Sequence, residues 1–177
     1  MRATVELRDI RTAADRAAVL RLRRAPGQER FLGSMADHFA DAEADARARP
    51  RMWSVHDGPT LVGFVMISDG IPPATMADHP DLVGPYYLWR LLIDEAYQGR
   101  GYGRATIDAV VRYLRTRTDP VADVLWTSCA KGEGGPLPFY LRYGFVQAGD
   151  VAWDDGEPEH LLRLELGPSA AAHREDR

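Results

Sequence analysis

The chain has 177 residues, 45% of them hydrophobic and 27% charged, values of an ordinary globular protein with room for a sizeable core. The net charge of -4 speaks against nonspecific binding to nucleic acid or an anionic membrane, and no apolar run reaches the ~20 residues that span a bilayer. The single cysteine, Cys129, excludes an intrachain disulfide, and "MRATVELRDI" lacks a signal-peptide apolar region, so the expected location is cytoplasmic.

Residues 4–9, "TVELRD", alternate as a strand does. A helix is predicted from Thr12 to Arg24. Thr12 and Asp15 form its capping box, Arg21, Arg23 and Arg24 suit its C-terminus, and Pro26 and Gly27 close it. A second helix starts at Ser34, shares Met35, Phe39 and Ala42 on one face, and stops before Pro50. The period then changes to two. "RMWSVHDGPTLVGFVMIS" reads as a hairpin around Asp57-Gly58-Pro59, and the proline-rich "IPPATMADHPDLVG" reads as a loop. "YYLWRLLID" is a central strand. "ATIDAVVRYLRTR" is the clearest helix, with Ile107, Val110, Val111 and Leu114 at i, i+3, i+4, i+7. "ADVLWTSCA" is a strand and "LPFYLRYG" a two-turn helix ending at Gly144. "FVQAG" and "EHLLRLEL" are strands joined by the acidic turn "DVAWDDGEPE". This order gives a mixed α/β (α+β type) single domain over residues 1–167, with a disordered tail at 168–177.

The segment "QGRGYGR", residues 98–104, leaves the central strand and enters a helix. Glycines there let an anion reach the helix's unpartnered N–H groups, and Arg100 or Arg104 adds charge. A tight turn with solvated arginines is the alternative. Counting excludes three known phosphate loops. From Gly99 the dinucleotide fingerprint would need glycine or alanine at Arg104, and from Gly101 at Thr106. The Walker loop fails at Arg104, and a kinase loop joins two strands. An NAD(P)-dependent oxidoreductase is therefore disfavoured.

"RLLIDEAYQGRGYGRATIDAVVRYLR" resembles the central motif of the GNAT N-acetyltransferase superfamily, met by Gln98, Gly101 and Gly103. "FYLRYGF" resembles its later motif, with Tyr140, Gly144 and Phe145. The element order matches along nearly the whole chain. "APGQERF", "YYLWRLLID", "YQGRGYG" and "PFYLRYGF" further resemble the bacterial diamine (spermine/spermidine) N-acetyltransferases. The resemblance implies a mostly antiparallel twisted sheet of about seven strands with a splayed central pair, flanked by about four helices. It implies acetyl-CoA as cosubstrate, with its pyrophosphate on Gln98, Gly99, Arg100, Gly101, Tyr102, Gly103 and Arg104. The pantetheine arm would pair with the backbone of Leu91, Leu92 and Ile93 as an added strand. An amide of Leu92 or Ile93 would stabilise the oxyanion. The asparagine that many relatives place after the next strand is missing from "TSCAKGEGGPLP", leaving Ser128 or a backbone group to substitute.

Acetyl transfer needs a neutral amine and a proton for the departing thiolate, and the motif gives the acid role to Tyr140. No base is legible. Asp94 and Glu95 read as capping residues, whereas Glu29 or "DDGEPE" either meets a cationic acceptor or is solvated. Tyr86, Tyr87 and Trp89 are candidates to line an acceptor pocket by cation–π attraction, with core packing as the alternative for at least one of them; Tyr87 and Trp89 share one strand face and Tyr86 lies on the other. His38, His56, His79 and His160 lack metal-ligand spacing, so no metal is expected. The setting of Cys129 in a strand reads as inert. The expected activity is acetylation of a small-molecule primary amine, first of all a polyamine. The alternatives are an antibiotic, an amino acid or a protein N-terminus as acceptor, or a non-catalytic acyl-CoA-binding module. The sequence does not give the oligomeric state; dimers are common in proteins resembling this one, so a homodimer is what the resemblance implies.

Overall fold

The structure is a computed structural model that describes residues 3–118, 122–153 and 156–167. Its elements in chain order are β1 (Glu6–Asp9), α1 (Ala13–Val19), α2 (Met35–Ala44), β2 (Pro50–Asp57), β3 (Thr60–Asp69), α3 (Pro73–Asp78), β4 (Tyr86–Ile93), α4 (Tyr102–Leu114), β5 (Val124–Cys129), α5 (Leu137–Tyr143), β6 (Val146–Val151) and β7 (Glu159–Glu165). One seven-stranded sheet runs in the order β1-β2-β3-β4-β5-β7-β6. Every neighbouring pair is antiparallel except β4 and β5, which are parallel and joined across the sheet face by α4. The mixed α/β fold expected from the sequence is therefore present. The predicted tail at 168–177 lies outside the described residues.

The sheet is covered on both faces, which explains the unbroken apolar run of β3. Val65 and Ile67 pack with Leu88, Ile107, Val110, Leu114 and Leu125 under α4. Phe64 and Met66 point the other way, against Val19, Met35, Phe39 and Leu92 beneath α1 and α2. Each such side chain, fully buried, contributes about 2 kcal/mol. Gly63 marks where β3 and β4 press together: a Cβ there would lie 2.4 Å from the carbonyl oxygen of Leu92. Both capping boxes form, Thr12 with Asp15 and Ser34 with Asp37.

Two predicted elements change. The first helix stops at Val19, not Arg24. The chain turns so that the Arg23 amide donates to Asp94 Oδ2 at 2.9 Å and the Glu95 amide donates to the Arg23 carbonyl at 2.9 Å. Docking against the end of β4 outweighs the helix propensity of "RLRR". The proline-rich segment predicted as a loop contains α3, with Pro72 as N-cap and Pro73 in the first turn. Proline there gives up an amide that has no helical partner anyway.

His38 sits in the α2 layer with 1% of its surface exposed. Arg90 Nε donates to its Nδ1 at 3.0 Å, and its Nε2 has no partner. Burial, aided by the Arg90 charge, lowers its pKa to about 4. The folded state holds this ring neutral while the unfolded chain protonates it near pH 6.5. Its contribution to stability is thus intact above pH 6.5 and lost as pH falls toward 4. Urea melts should show a loss of roughly 2 kcal/mol between pH 7 and pH 5 that is absent from His38→Gln. Equal pH slopes in the two proteins would show that His38 titrates alike in both states.

Candidate active site

The site begins with one extra residue. Met66 pairs with Arg90 and Ile67 with Leu88, so Trp89 is a bulge in β4. On its other side β4 pairs with β5 only at Tyr87–Trp126 and Leu88–Thr127. Thr127 Oγ1 donates to the Leu88 carbonyl at 2.9 Å beside this last rung. The strands then part. Leu91, Leu92 and Ile93 keep β3 on one side and face a cavity of about 520 Å³ on the other.

Gln98 anchors the glycine loop at the mouth of this slot. Its Nε2 donates to the Ile93 carbonyl and to Gln28 Oε1, both at 2.9 Å. Gly99 and Gly101 have φ of +75° and +86°, a region that costs an L side chain about 1–2 kcal/mol. Gly101 is the N-cap of α4 and supplies no side chain to its amides. The first-turn N–H groups of a 13-residue helix, with their partial positive charge, are thus left to a ligand. Gly103 is small for another reason: a Cβ would lie 3.2 Å from the Phe139 ring. The guanidinium groups of Arg100 and Arg104 lie over the rings of Tyr97 and Tyr143, at 5.7 and 5.1 Å.

Leu91, Leu92, Ile93, Gln98, Gly99, Gly101, Tyr102, Gly103 and Arg104 all line the slot, and Arg100 stands exposed beside it. Tyr140 lines its inner wall with 8% of its surface exposed. Burial pushes the Tyr140 hydroxyl well above the usual phenol range, so it stays protonated. Cys129 lies on the same wall, and burial raises its thiol to about 11. That is the inert thiol expected from its neighbours.

A second cavity, of about 720 Å³, adjoins the first through a seam of Phe31, Trp89, Arg90, Ser128, Ala130 and Glu159. Tyr87 and Trp153 line it too, edge to face with ring centres 6.0 Å apart. Trp89 Nε1 donates to Ser68 Oγ at 2.6 Å. Tyr87 donates to Ser128 Oγ at 2.6 Å, Ser128 donates to Glu159, and Trp153 Nε1 donates to Glu159 at 3.3 Å. Asp45, Asp81 and Glu157 add carboxylates, of which Asp45 and Asp81 are paired to Arg47.

Tyr87 and Trp89 thus stand at the second cavity, while Tyr86 is core. Glu29 lines neither cavity and accepts from the Gly27 amide at 2.9 Å. Its neighbours Gln28 and Phe31 do line the slot. Asp94 is a cap, accepting from the amides of Ala96 and Arg23, and Glu95 pairs with Arg23. Ser128 reaches the seam, but its hydroxyl serves Tyr87 and Glu159. From "DDGEPE", Glu157 and Glu159 reach the second cavity, whereas Asp154 and Asp155 lie outside the described residues. Arg90, Trp153 and Phe139 were not singled out by the sequence reading; only their contacts across the fold identify them. Among the described residues no group of three or more His, Cys, Asp or Glu forms a metal site, and no helix is long and apolar enough to cross a membrane.

Comparison with known proteins is consistent with this geometry. The profile of the acetyltransferase (GNAT) family matches residues 16–145. A spermine/spermidine N(1)-acetyltransferase of Bacillus subtilis (strain 168) is 28% identical over 155 residues, 88% of this chain and 95% of that protein. Among solved structures, an aminoglycoside acetyltransferase in complex with coenzyme A superposes with a TM-score of 0.69 at 19% identity, covering 98% of this chain and 99% of its own. The spermidine N-acetyltransferase of Vibrio cholerae, in complex with coenzyme A and spermine, gives 0.62 at 15% identity, covering 92% and 96%.

Replacing Gly101 by alanine strains a left-handed position and sets a methyl group beside the first-turn amides. Calorimetry should find coenzyme A affinity reduced at least about tenfold, and the protein destabilised by about 1 kcal/mol. Unchanged affinity would mean that the loop is only a turn.

Proposed function

The chain belongs to the acetyltransferase (GNAT) family and is an acetyl-CoA-dependent N-acetyltransferase, and within that family we propose that it acetylates a primary amine of a small cationic molecule, first of all a polyamine such as spermine or spermidine. The observation that carries this reading is the continuity of two cavities across the parted strands. One has the shape and amides for a pyrophosphate and an extended arm. The other offers aromatic faces and carboxylates.

In this reading the diphosphate of acetyl-CoA lies on the amides of Gly99 to Arg104, where helix and arginine charge favour it. The backbone of Leu91, Leu92 and Ile93 takes the pantetheine as an added strand. The donor supplies a thioester, and an amide of Leu92 or Ile93 receives the negative charge that grows on its carbonyl oxygen. Tyr140, kept protonated by burial, offers its hydroxyl to the departing sulfur.

The second cavity favours a cation. Glu157 and Glu159 have no ion-pair partner among the described residues, whereas Lys131 is held by Asp150 and Arg90 by Asp41, and Arg30 donates to the Glu133 carbonyl and lies over the Phe31 ring. Tyr87, Trp89 and Trp153 offer ring faces to an ammonium, each worth about 0.5–2 kcal/mol. The Bacillus subtilis relative, a spermine/spermidine N(1)-acetyltransferase, points the same way. A cytoplasmic location belongs to the same proposal.

Thiol release measured over a panel of spermine, spermidine, an aminoglycoside, free amino acids and an N-terminal peptide tests the acceptor. Spermine or spermidine should give the highest kcat/KM; binding of acetyl-CoA without turnover on any amine would leave a binding module. Tyr140→Phe should lower kcat about 100-fold or more while acetyl-CoA affinity stays within threefold. An unchanged kcat would remove Tyr140 from the reaction.

A further inference from the structure

The base is the missing part of this site, and the seam between the cavities narrows the choice. A group that takes a proton from the attacking nitrogen must face both the thioester end of the slot and the acceptor cavity. Phe31, Trp89, Arg90, Ser128, Ala130 and Glu159 do so. Arg90 is always charged, and its guanidinium is engaged by His38, Asp41 and the Trp89 carbonyl. The ionisable neighbours Tyr87, Tyr140 and Cys129 are all held protonated by burial. His160, the next residue on β7, faces Gln147 and Asp150 and lines neither cavity.

We propose that Glu159 is the proton acceptor of acetyl transfer, its carboxylate held at the seam by Ser128 and Trp153 with Tyr87 behind Ser128. This inference rests on the acetyltransferase reading given above. A carboxylate is too weak a base to strip a free alkylammonium, whose pKa is roughly 10. The entering ammonium therefore yields its first proton to water in the open acceptor cavity. The neutral nitrogen attacks the thioester carbon, and the new C–N bond leaves it positive and far more acidic. Glu159 takes that proton as the C–S bond breaks, and the sulfur leaves with a proton from Tyr140. Glu159 then releases its proton to solvent and Tyr140 regains one. The amine has lost one hydrogen and the thiol gained one.

The two roles fall on different walls. Tyr140 lines the slot alone, where the sulfur departs, and Glu159 lines both cavities, where the amine arrives. Glu159 sits at the first position of β7, opposite Val151 of β6. The strand ladder therefore fixes where its carboxylate stands.

The test compares wild type, Glu159→Gln and Glu159→Asp with the best acceptor of the amine panel. Glu159→Gln should lower kcat about 100-fold or more, leave acetyl-CoA affinity by calorimetry within threefold, and recover activity as pH rises and hydroxide replaces the base. Glu159→Asp keeps a carboxylate one methylene further back and should retain more activity than Gln, at least about tenfold below wild type. A kcat within threefold of wild type in either variant, with or without a raised amine KM, overturns the proposal. A raised KM alone would make Glu159 an ammonium dock. Should Glu159→Gln fail to bind acetyl-CoA, kcat of Glu159→Asp decides. Wild type that turns over no amine would instead fell the acceptor reading on which the inference rests.

Discussion

The whole arrangement depends on one surplus residue in the middle of a sheet. Strands that pair in register stay together, because each rung satisfies two buried polar groups. Trp89 breaks that register against β3, and β4 leaves β5 after two paired positions. A bulge twists and bends its strand. Here the bend turns the interior of a sheet into a ligand slot without a hole in the core. Large buried side chains still fill both faces around it. Gly63 lets β3 follow the bent strand at backbone contact. Gln98 ties the glycine loop back to the carbonyl of Ile93, which fixes the loop to the end of the strand.

Beyond the bulge, the site is organised by polar groups that hold one another. Tyr87, Ser128, Glu159 and Trp153 form a chain in which each donor has an acceptor. In a half-buried seam such a chain fixes side chains that would otherwise rotate. Arg90 plays the same part on the opposite side, tied to His38 and Asp41 of α2. The helix layer on one face and the last hairpin on the other thereby meet at the place where the two cavities join.

Much of this was legible in the sequence because local rules and tertiary structure agree there. The hairpin at Gly58-Pro59, the periodicity of Ile107 to Leu114 and the capping boxes at Thr12 and Ser34 are local signals, and all form. Gly99 and Gly101 take positive φ angles, which an L side chain adopts only at a cost of about 1–2 kcal/mol. The errors came where a distant contact decides. The helix predicted to Arg24 stops at Val19 because Arg23 bonds to Asp94, 71 residues away. The two prolines read as loop formers instead start α3. Glu29 and Glu159 both lay in acidic or polar segments. Spacing could not rank them, since only strand pairing brings Glu159 to Ser128, 31 residues before it.

A sheet that parts in its middle also owns more edges than its outline shows. Besides the outer strands β1 and β6, the stretch Leu91–Ile93 presents, inside the molecule, a row of backbone groups that no strand pairs on its β5 side. Such rows invite pairing with strands of other chains, and proteins normally blunt them with charge, proline or cover. This one is apolar and carries no such guard. Its protection is geometric: it lies at the floor of a narrow cleft walled by Phe31, Phe139 and Tyr140. The cleft that leaves this row without a strand partner is thus also what covers it.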